Sequence, residues 1–106
     1  FVHEILFSLK LNYPQLEMFL ILHEFTRLAE NKNIIAMYLF GSHAKKTAKE
    51  SSDIDIAIFS KEKLNLIQAK DRILQEFDKE IQLHYFNPDD KSNLSKEVKK
   101  HGVKII

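Results

Sequence analysis

Asp53 and Asp55 stand one residue apart inside the apolar run DIDIAIF, residues 53–59. Carboxylates in such a run are costly unless something cationic meets them. Alternate side chains of a strand share a face, so Ile54, Ile56 and Ile58 are expected on a core face and Asp53 and Asp55 together on the opposite one. Two residues of strand rise set the aspartate stems roughly 6–7 Å apart. Both carboxylates can then converge on one or two divalent ions, the arrangement of two-metal phosphoryl and nucleotidyl transfer. Oxygen-only ligands favour Mg²⁺ or Mn²⁺ over zinc.

Upstream, Gly41 and Ser42 close the apolar run IIAMYLF, residues 34–40. A glycine ending a strand lets the backbone approach a ligand closely, and amides that open a helix form an anion site. Ser42 adds a hydroxyl for a triphosphate oxygen, and Lys45, Lys46 and Lys49 add positive charge. The run lacks the G-x-x-x-x-G-K-[ST] order of a P-loop. Each residue type also has an ordinary use: strand-edge carboxylates, a plain Gly-Ser turn, lysines on a solvated helix face. Lys91, Lys96, Lys99, Lys100 and Lys104 read first as a solvated face and second as a nucleic-acid contact. His3, His23, His43 and His101 follow no metal-ligand rhythm.

The elements that must hold these residues are legible from periodicity. Residues 3–11 alternate as a half-buried strand, and Pro14 suits the first turn of a helix running from Gln15 to about Asn31. That helix is apolar around most of its axis, which places it in the core first and in a homodimer interface second. Residues 34–40 and 53–59 read as buried strands, and 43–49 as a short helix. Ser60 is expected to cap a helix whose apolar stripe is Leu66, Ile67, Ala69, Ile73, Leu74 and Phe77. Residues 80–86 (EIQLHYF) read as a third strand, with Ile81, Leu83 and Tyr85 opposite Glu80, Gln82, His84 and Phe86. Asn87-Pro88-Asp89-Asp90 reads as the start of a last helix that ends at Gly102. Strands alternating with helices predict an α/β layer structure.

Bulk properties narrow the classes. One domain is expected from 106 residues with 44% hydrophobic and 29% charged side chains. A net charge of +1 argues neither for nor against nucleic acid. Absence of cysteine excludes disulfides and thiolate metal sites and suits a cytoplasmic setting. No apolar run is long enough for a membrane-spanning helix, so no membrane partner is expected. Opening on Phe1 rather than Met is expected of a fragment or a processed product.

The assembled pattern, G-S-x10-D-x-D with an apolar strand on either side, resembles the nucleotidyltransferase superfamily that includes DNA polymerase beta. Within it the likeness is to the minimal nucleotidyltransferases of archaea and bacteria. Their LFGS-x-A-R-G is matched by Leu39-Phe40-Gly41-Ser42 followed by Ala44 and Lys45, and their SDIDL by Ser52-Asp53-Ile54-Asp55-Ile56. The resemblance implies an α/β fold, a small mixed sheet with helices packed against it, over residues 14–106. It implies Mg²⁺-dependent (or Mn²⁺-dependent) transfer of a nucleoside monophosphate, AMP, from an NTP, ATP, to an acceptor hydroxyl, with release of pyrophosphate. Asp53 and Asp55 would hold two metal ions. Gly41 and Ser42 would meet the β and γ phosphates, with Lys45 and Ser52 in the same nucleotide-binding set.

Two positions depart from the pattern. Lys45 replaces an arginine, so a bidentate guanidinium becomes a point charge. The third carboxylate, found in a V-D-L setting on the next strand, aligns with Ile81-Gln82-Leu83 and so with an amide. Glu80, on the same strand face, is the expected third catalytic residue, and His84 is its alternative. The acceptor stays open among a partner protein, as in antitoxin members that adenylylate a toxin, a nucleic-acid end and a small molecule. The alternative reading is a catalytically weak nucleotide- or partner-binding regulatory module. Leu11-Asn12-Tyr13-Pro14 resembles the join where a winged-helix wing strand runs into such a domain. Residues 1–13 are therefore expected as a strand left from an upstream winged-helix domain, the only route to DNA as a partner. The chain would then be the effector half of a DNA-binding protein.

Overall fold

The computed structural model describes residues 13–29, 33–41, 53–62 and 64–106. The elements run α1 (Tyr13–Leu28), β1 (Ile34–Phe40), β2 (Ile54–Ser60), α2 (Ile67–Phe77), β3 (Ile81–Phe86), α3 (Asn93–His101) and β4 (Val103–Lys104). The strand expected over residues 3–11 and the short helix over 43–49 lie outside the described residues. Four strands form one mixed sheet in the order β3-β2-β1-β4. β1 is antiparallel to both β2 and β4, and β2 is parallel to β3. The result is the small mixed α/β sheet with packed helices that the sequence implied. No helix among the described residues is long and apolar enough to cross a membrane.

β2 is central because it is apolar on both faces. Ile54, Ile56 and Ile58 are fully buried and join Met37, Leu39, Ile81 and partly buried Leu83 beneath α1 and α2. From α1 this layer takes Ile21, Leu22 and Phe25, and from α2 Ala69 and Ile73. On the reverse face Ala57 and Phe59 pack with Ala36, Tyr38, Phe40 and Phe86 against Val98 of α3. The β1–β2 register slips by one residue between Ile34 and Ala36. The slip leaves Ile35 54% exposed and lets Ile34 and Met37 both serve the first layer.

Several local readings are corrected. Ser60 does not cap α2; it ends β2, where its hydroxyl accepts from Glu62 N and donates to Glu62 O. Leu66 sits at the N-cap without a side-chain bond, and Asn65 Oδ1 accepts from Ile67 N instead. Of the expected apolar stripe, Ile67 and Leu74 are exposed, because α2 meets the sheet through a narrower face centred on Ala69 and Ile73. Asn87-Pro88-Asp89-Asp90 forms a turn, with Asn87 O accepting from Asp90 N. The helix begins later, at Ser92, whose hydroxyl accepts from Ser95 N at 3.2 Å.

Beyond the last helix the C-terminal residues add strand β4 to the free side of β1. Ile105 N extends that contact by donating to Met37 O at 2.7 Å. Gly102 makes the switch from α3 possible. A Cβ there would run into the Val98 carbonyl oxygen and lie 3.1 Å from Leu39 O. Its backbone is extended, so close approach and not a left-handed φ explains the glycine.

Candidate active site

The parity of β2 that buries its isoleucines turns Asp55 to the face shared with Ala57 and Phe59. Asp53, immediately before the strand, is exposed two residues earlier on the same alternation. Ile54 N donates to Glu80 O at 2.9 Å, which ties the start of β2 to the foot of β3. Parallel pairing then sets Asp55 beside Gln82 and Ala57 beside His84.

Each aspartate meets a side chain of β3. Gln82 Nε2 donates to Asp53 Oδ2 at 3.3 Å. His84 Nε2 lies 3.3 Å from Asp55 Oδ1, with the His84 and Asp55 side chains 37% and 29% exposed. Phe40 meets the imidazole edge-to-face with centroids 4.8 Å apart, which fixes where the ring stands. Gln82 thus meets Asp53 while His84 meets Asp55, so both β3 side chains face the aspartates.

β1 delivers Gly41 to the same spot. Phe40 pairs with Asp55, so the next residue falls beside the aspartate. Gly41 has φ +74°, and a Cβ on it would lie 2.6 Å from Asp55 Oδ2. Both the left-handed backbone and the space taken by the carboxylate call for glycine here. Gly41 thus lies against Asp55, and Asp53 precedes Asp55 by two residues on the same alternation. Ser42, Lys45, Lys46, Lys49 and Ser52 lie outside the described residues. Glu80 is exposed one residue ahead of β3, and its backbone oxygen holds Ile54.

The donor set suits a divalent cation: two carboxylates on one face, both reachable from solvent, with hard oxygen atoms. Among the described residues no three His, Asp or Glu side chains converge as a complete cage. An ion here would thus take its remaining ligands from phosphate and water, which is how Mg²⁺ sites that use one or two carboxylates are completed. The contact between His84 and Asp55 and the placement of Phe40 were not foreseen. The signal for them is the β2–β3 register, with His84 two residues beyond the partner of Asp55.

Residues 25–106 match the family model described as polymerase beta, nucleotidyltransferase. Among solved structures, a toxin–antitoxin complex with AMP-PNP superposes with a TM-score of 0.63 and 22% identity, over 81% of this chain and 70% of that one. A complex of tri-AMPylated Shewanella oneidensis HEPN toxin with MNT antitoxin gives 0.58 and 21%, over 82% and 70%. A MntA–HepT toxin–antitoxin complex gives 0.57 and 21%, over 82% and 70%. At these identities the likeness is one of fold. No match is found among curated proteins.

Proposed function

Because the chain belongs to the polymerase beta nucleotidyltransferase family, we propose that it transfers AMP from ATP to a hydroxyl group of a partner protein. The observation that carries this reading is Asp55 on β2 with Asp53 two residues before it, and Gly41 against the Asp55 carboxylate. The solved relatives in fold are toxin–antitoxin complexes, one with AMP-PNP and one with an AMPylated toxin. They support a nucleotide donor and a protein acceptor, with this chain in the antitoxin role.

Asp53 and Asp55 are the residues that would hold Mg²⁺ or Mn²⁺, two ions in the family's arrangement. Divalent cations at that place supply charge neutralisation for the triphosphate and acidify the attacking hydroxyl. Gly41, with no side chain, leaves its backbone free to approach the β and γ phosphates, and Ser42, Lys45 and Ser52, the last next to Asp53 in sequence, complete the nucleotide-binding set. The acceptor oxygen forms a bond to the α phosphorus as the bond from that phosphorus to the bridging oxygen breaks. Pyrophosphate leaves with that oxygen. Glu80, at the foot of β3, is the carboxylate remaining to take the hydroxyl proton, since an amide at position 82 cannot act as a base.

The Gln82–Asp53 hydrogen bond favours a second reading, a nucleotide- or partner-binding module with little transfer activity. One experiment separates the two. The protein is incubated with labelled ATP, Mg²⁺ and the product of the neighbouring gene. Label on the partner that disappears in Asp53→Asn supports transfer. Tight ATP binding with no label supports the module, and failure to bind ATP contradicts both.

A further inference from the structure

The family's third acid is replaced here by Gln82, yet β3 still presents a ligand-capable atom to Asp55 two residues further on. His84 Nε2 and Asp55 Oδ1 are 3.3 Å apart. That is longer than a strong charge-assisted hydrogen bond, about 2.7–2.9 Å. It is a weak contact that a cation can displace, and it leaves the two donor atoms near enough to bind one ion together. The imidazole packs edge-to-face against Phe40, and its side chain is 37% exposed, so the residue is open to solvent on the side not covered.

Building on the reading of Asp53 and Asp55 as cation ligands, we propose that His84 is itself a ligand, its Nε2 joining Asp55 on one ion, so that this site favours Mn²⁺ over Mg²⁺. Mg²⁺ binds through oxygen and demands near-ideal octahedral geometry. Imidazole nitrogen raises the affinity of first-row transition ions, and Mg²⁺ gains little from it. Gln82 strengthens the bias. With an amide at that position, the aspartate pair supplies two negative charges where a third carboxylate would add another, which weakens the purely electrostatic hold on Mg²⁺. A nitrogen donor restores affinity only for an ion that accepts it. The other positions around the ion belong to phosphate oxygens and water, in keeping with the lack of a three-residue cage among the described residues.

The test is calorimetric titration of the protein with Mn²⁺ and separately with Mg²⁺, in the presence of AMP-PNP. The proteins compared are wild type, His84→Ala, His84→Gln and Asp55→Asn. Loss of one ligand should weaken Mn²⁺ binding by about tenfold or more, while Mg²⁺ binding changes by less than about threefold because oxygen donors dominate it. Pulsed electron-spin resonance of the Mn²⁺ complex should show coupling to an imidazole nitrogen in wild type and none in His84→Ala or His84→Gln. An unchanged Mn²⁺/Mg²⁺ ratio in both His84 variants, or no nitrogen coupling in wild type, overturns the assignment of His84. If wild type binds neither ion, or Asp55→Asn binds both as wild type does, the underlying reading of the aspartates fails instead.

Discussion

Replacing Gly41 with alanine tests the local geometry on which the site depends. At φ +74° an L-residue costs about 1–2 kcal/mol relative to glycine. The new Cβ would also lie 2.6 Å from Asp55 Oδ2 and 3.3 Å from its Cγ. The obstructing atom is the far end of a side chain, so the clash is relieved by turning the Asp55 carboxylate away from the loop. That turn separates Asp55 from His84, now 3.3 Å away. The fold should therefore lose only the backbone term. At about 4–8 °C of Tm per kcal/mol for a domain near this size, Gly41→Ala should melt roughly 4–16 °C lower.

The binding consequence should be larger than the folding one. A ligand present at about 100 times its Kd adds about 2.7 kcal/mol to stability. Wild type should gain that increment with Mg²⁺ or Mn²⁺ and AMP-PNP, and Gly41→Ala should gain almost none. Thermal unfolding with and without ligand reads both quantities in one assay. Gly41→Asn is a useful companion, because asparagine tolerates a left-handed φ better while its Cβ meets Asp55 just as closely. It should recover stability without recovering the ligand shift. A Gly41→Ala protein that melts lower yet keeps the full ligand shift would refute the role assigned to the Gly41–Asp55 contact.

Three further outcomes are expected. Gln82→Asp puts a third carboxylate beside Asp53 and Asp55; repulsion should lower metal-free stability by about 1 kcal/mol, and the stabilisation gained on adding Mg²⁺, read by thermal melts, should exceed that of wild type. Ser92→Ala removes the α3 cap and should cost about 1 kcal/mol in denaturant unfolding. The Ser92 hydroxyl, and then its backbone N–H, hold Asp90 below the usual carboxylate range. The contribution of Asp90 is thus complete above its unfolded value and drains away as pH falls through its lower folded value. An NMR titration of Asp90 in Ser92→Ala should move upward. Gly102→Ala forces a Cβ against the Val98 carbonyl at the α3–β4 switch and should cost about 1–3 kcal/mol, with faster hydrogen exchange at Ile105 N as its local signature.

What the sequence disclosed follows from how local each feature is. β1 matches its apolar run, Ile34–Phe40, because Gly41 ends it. The face shared by Asp53 and Asp55 was legible because a period of two is a property of the strand alone. The Asp55–His84 and Asp53–Gln82 pairs depend on the register between β2 and β3, which is decided by packing across 29 residues of sequence. β4 is two residues long and exists only because β1 offers it an edge. The start of α3 was misplaced because asparagine, proline and aspartate serve turns as readily as helix ends, and here Asn87 O closes a turn on Asp90 before Ser92 takes the cap. Exposed Ile67 and Leu74 show the limit of an apolar stripe read without knowing how wide a face the sheet presents.

The most direct measurement is a crystal structure of the protein with Mn²⁺ or Mg²⁺ and AMP-PNP. Electron density for a cation bound to Asp53 and Asp55, with the triphosphate lying against Gly41, is the predicted result. A nucleotide bound elsewhere on the domain, or a cation bound away from both aspartates, would contradict the assignment of this face of β2 as the site of transfer.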